Sequence, residues 1–371
     1  MRVLESEVIV RPSRRNAQSD LSLLNHLRAL TVTFERDGER VSAVLTYAEP
    51  LPDHSGRYHA VVAADTGYEG IACLDDTARA ALLGLAIHER SGSKAALAQA
   101  EEWLTFAAYM QYPDGSFANF IRNAAGIRNA SGQTSHRGGY WWSSRALWAL
   151  ARAYRITGKD AYRDQFEACH LEPLPDGKIN AVLALAALEL YRADPNAGLR
   201  QTILDHCATI VDGMDSLPFF PDHPGSPSVS LWGYHQLHAV ATVAEQFDIP
   251  RWLAACRSTV RSLLVPDIRD RFWHSYPDRS KVGVTAYDIA PIVQGLAELH
   301  HCTGAAKYAD LALKGCAWFY GRNDARTAMY DPTTGACRDG ITDGVASPNC
   351  GAESSIEAGF AELVRRDLAD L

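Results

Sequence analysis

Two adjacent carboxylates, Asp75 and Asp76, open one of the most apolar segments of the chain, LDDTARAALLGL. Close carboxylates repel, which raises one pKa and suits that group to general-acid work. The competing reading is structural: an Asp at a helix start satisfies free backbone N–H groups and complements the dipole. Both cannot easily cap one helix, and Arg79, one turn on, could instead neutralise Asp75 as an ion pair. Two further acids stand at comparable helix starts, Asp288 in AYDIAP and Glu353 in GAESS. Acids at such positions can divide into a protonated donor and an ionised partner when their surroundings push their pKa values apart.

Aromatic and polar side chains gather at the same places along the chain. Trp141, Trp142 and Arg145 lie in YWWSSRAL, Trp232 and His235 in LWGYHQLH, and Tyr287 in AYDIAP. Adjacent helix positions point about 100° apart, so Trp141 and Trp142 do not easily share one packing surface. Aromatic rings lining a concave site offer π faces to the C–H faces of sugars, and Arg145 and His235 would bond hydroxyl or carboxylate substituents. His235 and His238 share a helix face; a satisfied interior pair competes there with proton transfer or metal binding. The stretch from Gly321 to Ser355 is dense in polar groups, and Asn323 and Asp324 in it are further candidates for substrate contact. A loop of such length inside a compact domain is often functional.

These residues need elements to bring them together. The segments beginning near Asp75, Trp141, Asn180, Leu231, Ala286 and Gly351 are rich in Ala and Leu. The first five are each followed by a punctuated turn and a more charged helix, at a spacing of roughly 40 to 65 residues. A helix apolar nearly all round is buried, and a two-faced helix covers it. Six inner helices with five outer ones leave one outer position open, which a short amphipathic helix at Asp20 to Ala29 can fill. The expected fold is all-α, an (α/α)6 barrel over residues 61–371. An N-terminal region, 1–60, should carry that helix, a strand at Glu7 to Pro12 and a hairpin turning at Asp37-Gly38. An α-solenoid is the competing architecture. In the toroid the inner helices run the same way, so their first turns meet in one funnel at one end.

Composition narrows the classes. The chain has 371 residues, net charge −8, 47% hydrophobic and 22% charged residues, which exclude bulk disorder and argue against a polyanion such as nucleic acid as partner. No run approaches the roughly 18 apolar residues that span a bilayer. MRVLESEVIVRPSRR lacks the apolar core of a secretory signal, so a cytoplasmic location is expected. None of the eight cysteines forms a CxxC pair, the Asp and Gly spacing of the C-terminal loop does not match an EF-hand, and no metal or cofactor is expected.

In order, GYEGIACLDDTARAALLGL, DGSFANF, YWWSSRALWALARAY, WFYGRNDARTAMYDPTTGACRDGI and NCGAESS resemble bacterial members of the six-hairpin glycosidase superfamily, between about Gly67 and Glu353. The resemblance implies (α/α)6 toroids, a carbohydrate ligand in the funnel, and acids of inner helices and loops as general acid and base. By motif position it nominates Asp75 or Asp76, Asp288 and Glu353. The expected function is a glycoside hydrolase acting on an oligosaccharide or glycoconjugate. Two alternatives stand beside it. One is a sugar epimerase or isomerase using paired histidines, for which His235 and His238 come from one helix and His136 precedes another. The other is a glycan-binding module that keeps the stacking residues without the acids.

Overall fold

The computed structural model of the protein describes residues 19–36, 38–53, 58–60, 69–171 and 174–369. The strand expected at Glu7 to Pro12 and Asp37 of the expected turn lie outside them. The chain enters through a 3-10 turn (Ser22–Leu24) and α1 (Asn25–Ala29), followed by the antiparallel pair β1 (Thr31–Arg36) and β2 (Glu39–Val44). A second pair joins β3 (Ala48–Pro50) to β4 (Tyr58–Ala60).

Helical hairpins follow: α2 (Leu74–Ser91) with α3 (Lys94–Met110), α4 (Tyr140–Thr157) with α5 (Asp160–Ala168), and α6 (Gly177–Ala193) with α7 (Ala197–Asp212). Next come α8 (Gln236–Gln246) with α9 (Pro250–Thr259), which runs through a π-helical stretch into α10 (Val265–Arg269), and α11 (Ala290–Thr303) with α12 (Ala306–Cys316). The chain closes with α13 (Ala352–Ala369). Helices α2, α4, α6, α8, α11 and α13 each pack against the next, and α13 packs back against α2. This is a closed inner ring, which excludes the solenoid. Helix α1 lies against α13, and β2 lies along α3.

Local sequence accounts for the hairpins. Gly92, Gly158 and Gly304 end three inner helices with φ of 69°, 68° and 65°, a left-handed conformation that glycine adopts without a Cβ clash. Asp176, Ser93 and Asn196 accept from the first backbone N–H groups of α6, α3 and α7. Helix α5 buries none of its residues, whereas α2 buries Leu74 and the next eleven residues to Leu85. That contrast separates an outer helix from an inner one.

Two inner helices begin later than the hydrophobic pattern suggests. Gly233 takes φ 69° and the Leu231 N–H donates to His274 O, so regular helix starts at Gln236 rather than Leu231. Residues Ala286–Asp288 form a 3-10 turn, and Pro291 sits in the first turn of the α-helix that follows. Trp232 and Tyr287 therefore stand on turns ahead of α8 and α11. Short strands complete the entrance: β5 (Ala72–Cys73), β6 (Phe120–Ile121) and β7 (Arg128–Asn129) in one sheet, β8 (Val229–Ser230) with β9 (Ser275–Tyr276), and β10 (Val284–Thr285), β11 (Gly340–Thr342) and β12 (Val345–Ala346) in a third. No helix among the described residues is long and apolar enough to cross a membrane.

Candidate active site

A cavity of about 540 Å³ lies at the N-terminal end of the inner ring. Asp75, Asp76, Arg79, Trp141, Trp142, Trp232 and Glu353 line it, with Asn119, Thr285 and Asp339 from the loops. The opposite end holds a larger cavity, about 810 Å³. Its charged residues are largely satisfied by one another: Arg152 Nε donates to Glu89 at 2.7 Å, and Arg90 Nε to Asp367 at 2.5 Å. Of the aromatic residues and carboxylates picked out by their spacing, Asp75, Asp76, Glu353, Trp141, Trp142 and Trp232 line the first cavity.

Neither aspartate of the pair caps its helix. Cys73, paired in β5, is the N-cap of α2, and its Sγ accepts from Asp76 N at 3.4 Å. Asn119 accepts the remaining amides, Leu74 N on its backbone oxygen at 2.8 Å and Asp75 N on Oδ1 at 3.1 Å. With the helix end satisfied by other groups, both carboxylates are left for Arg79. Its Nε donates to Asp75 Oδ1 and its Nη2 to Asp76 Oδ1, each at 2.8 Å. From α13, Glu353 Oε2 accepts from the same Nη2 at 3.1 Å, and Glu357 Oε1 accepts from Nη1 at 2.8 Å. One guanidinium is thus shared by four carboxylates from two neighbouring helices.

Burial and charge shift these acids. Asp76 is only 3% exposed, and its carboxyl is pushed up to about 7, first by desolvation and then by Glu353 and Asp75, with Arg79 opposing. Glu357, beneath the cavity, is pushed up to about 7 by the same burial, again against Arg79. Asp339 rises to about 6 through desolvation, helped by Glu353. Glu353 keeps 26% of its side chain exposed. Both its oxygens accept from groups that can only donate, Arg79 and the Trp232 indole N–H at 3.1 Å.

The aromatic wall has a cationic backing. The Trp141 and Trp232 rings lie 5.5 Å apart, and Trp232 meets Tyr287 edge-on at 4.9 Å. Arg145 sits 4.5 Å from the Trp141 ring centroid and donates to Trp141 O at 3.0 Å and Tyr287 Oη at 2.9 Å. Trp142 reaches the cavity but is anchored, its indole N–H donating to Phe117 O at 3.0 Å.

Six of the residues nominated from sequence do not line the cavity: Arg145 and Tyr287, both fully buried, back its aromatic wall, and four stand elsewhere. Asp288 is fully buried; its Oδ2 accepts from Thr285 N at 2.7 Å and its Oδ1 lies 3.1 Å from His274 Nδ1, so it fixes the turn ahead of α11. Asn323 holds its own loop, donating to Trp318 O and Thr327 O at 2.8 Å. Asp324 pairs with Arg271 and Lys281 outside the cavity. His235 is buried beneath the site with Nε2 3.4 Å from Tyr287 Oη, its imidazole pKa driven well down by desolvation, and it packs on Trp148 and His238. Conversely, Glu357, Asp339 and Asn119 belong to the site without having been singled out. Asp339 lies in the polar stretch from Gly321 to Ser355, and Glu357 one turn after Glu353 on the same helix face.

The sequence matches no family model and no curated protein. Solved structures do match. A sugar epimerase from a ruminal bacterium superposes with a TM-score of 0.69 at 10% identity, over 95% of this chain and 98% of that one. Cellobiose 2-epimerase from Bacillus thermoamylovorans gives 0.68 at 12% identity, over 95% and 99%. A family 76 glycoside hydrolase from a bovine Bacteroides thetaiotaomicron strain gives 0.62 at 10%, over 95% and 78%. The chain has the (α/α)6 toroid fold. That is the architecture implied by the resemblance to six-hairpin glycosidases, and the toroid's funnel is where the acids and aromatics meet.

Proposed function

We propose that the protein is a glycoside hydrolase whose reacting groups are Asp76 and Glu353. The observation that carries this reading is the pair of carboxylates facing one cavity across Arg79, one raised to about 7 and the other accepting on both oxygens. A carboxyl raised toward neutrality is protonated when the reaction needs an acid. Asp76 donates its proton to the leaving glycosidic oxygen, while Glu353 either attacks the anomeric carbon or takes a proton from the water that does. Asp75, held by Arg79 and lying 3.4 Å from Arg145 Nε, keeps both guanidinium groups in place. Trp141 offers the half-buried face against which the sugar ring stacks, with Trp232 beside it.

Two of the neighbouring structures are epimerases by name, and an epimerase needs a base beside a carbonyl. Among the described residues no imidazole lines the cavity, and His235 lies sealed beneath Tyr287. The paired-histidine form of that reading is therefore weakened, and the two carboxylates at the cavity support hydrolysis. A glycan-binding module that keeps the stacking residues without the acids fits less well, since Asp76 and Glu353 line the cavity together with Trp141 and Trp232.

The test is a screen of oligosaccharides and aryl glycosides followed by Asp76→Asn and Glu353→Gln on the substrate found. Each variant should lower kcat by about 100-fold or more, in the range of lost general acid–base catalysis. Activity of the wild type should fall as pH rises through about 7, because Asp76 then loses the proton it donates. Full turnover by both variants would sink the assignment.

A further inference from the structure

The charge of the cavity bears on the kind of sugar it takes, an inference that rests on the hydrolase reading. We propose that the sugar held beside Trp141 and Glu353 carries no acidic group: the site accepts neutral and amino sugars and rejects uronates.

The cations near the cavity are already committed. Arg79 is the one cationic residue among the described lining residues. Its side chain is 3% exposed, its donors are directed at Asp75, Asp76, Glu353 and Glu357, and its guanidinium lies 4.2 Å from the Tyr287 ring centroid. Arg145, behind Trp141, is 1% exposed and spends its hydrogen bonds on Trp141 O and Tyr287 Oη. Lys178 faces Trp232 O and Asp222 Oδ2, both at 3.4 Å. An incoming carboxylate therefore meets no guanidinium or ammonium donor that it could use without displacing an internal acid.

Acids, by contrast, reach the cavity directly: Asp75, Glu353 and Asp339 line it, while Asp76 and Glu357, both raised to about 7, add negative charge only above that pH. A uronate would set its own carboxylate against this group in a partly desolvated space, where like charges repel strongly. An amino sugar brings an ammonium group instead and relieves the same repulsion. A neutral hexose meets neither penalty nor gain from this source, and its hydroxyl groups can donate to the exposed oxygens of Glu353.

The experiment compares p-nitrophenyl glycosides of glucose, mannose and galactose, in both anomers, with their 2-amino-2-deoxy and uronic acid counterparts. Rates of aryl release are paired with saturation-transfer NMR of the same compounds on the full chain. Neutral and amino glycosides should exceed the matching uronides by about 100-fold or more in kcat/KM, with the same order in NMR binding. A uronide within tenfold of its neutral counterpart overturns the proposal and leaves the hydrolase reading standing. No aryl release, with the order of binding kept, removes the hydrolase reading and leaves the charge selectivity standing. Equal NMR response from all three classes, or from none, overturns the selectivity. In Glu353→Gln the NMR gap between uronides and neutral sugars should narrow; an unchanged gap shows that these carboxylates do not set it, and overturns the proposal too.

Discussion

Arg79 and Glu357 together show how single residues determine the state of the site. Glu357 sits one turn below Glu353, with its Oε1 bonded to Arg79 and its Oε2 buried without a partner. Its carboxyl is raised from 4.5 to about 7, because burial outweighs the nearby guanidinium. The folded chain thus keeps a proton that the unfolded chain releases near pH 4.5. The stability tied to this group is fully present below that pH and is lost as pH rises through about 7. Glu357→Gln keeps an acceptor for Arg79 and cannot ionise. Its stability should match the wild type near pH 4.5 and exceed it above pH 7 by on the order of 1–3 kcal/mol, measured by urea unfolding across pH. Parallel stability curves would show that Glu357 does not carry this linkage. Asp75, Asp76 and Glu353 were legible as acids at helix starts and Arg79 as an ion-pair partner for Asp75, but the arrival of the acids of α13 on the same guanidinium was not. Arg79 and Glu357 are 278 positions apart in sequence, and their contact exists only once α13 closes on α2.

At the scale of elements, alternation of Ala-rich and charged helices was enough to count the hairpins, because burial all round or on one face leaves a periodic trace. It could not fix where α8 and α11 begin, since Gly233 and the capping box of Thr285 and Asp288 override the apolar pattern locally. The same override misplaced Asp288: an acid at a helix start can serve the site or the turn, and here Thr285 and His274 take it. Small residues between inner helices also escape a motif search, yet they set the ring's diameter. Gly295 on α11 faces α8 so closely that a Cβ would lie 2.9 Å from His238 N and from the Leu237 side chain. Gly295→Ala gains helix propensity of about 1 kcal/mol but forces two backbones apart in a packed ring. We expect net destabilisation of about 1–2 kcal/mol, read as a lower urea midpoint at an unchanged m-value. Equal or greater stability would mean that α8 and α11 can separate without loss.

For the whole molecule, the question is whether the segment before β1 is an appendage or part of the toroid. Its position favours the second. Asp20 is fully buried, accepting from Arg90 on α2 at 2.6 Å and from Arg366 on α13 at 2.8 Å, so it ties the ends of the first and last inner helices together. His26 Nε2 lies 2.8 Å from Cys350 O, just ahead of α13, on the side of the ring that carries Glu353. Removing the Asp20 carboxylate leaves two arginines that keep Asp367 and Glu362 as partners, so the loss falls short of that for a fully isolated buried charge. Asp20→Ala should therefore lower stability by about 1–3 kcal/mol. Asp20→Asn, which keeps shape and one acceptor, should lose less. If the segment completes the ring, the whole unfolding transition moves, and tryptophan fluorescence and far-ultraviolet circular dichroism shift together. An appendage would behave differently: its release would leave the main transition where it is, and only a minor early change in helix signal would mark its loss.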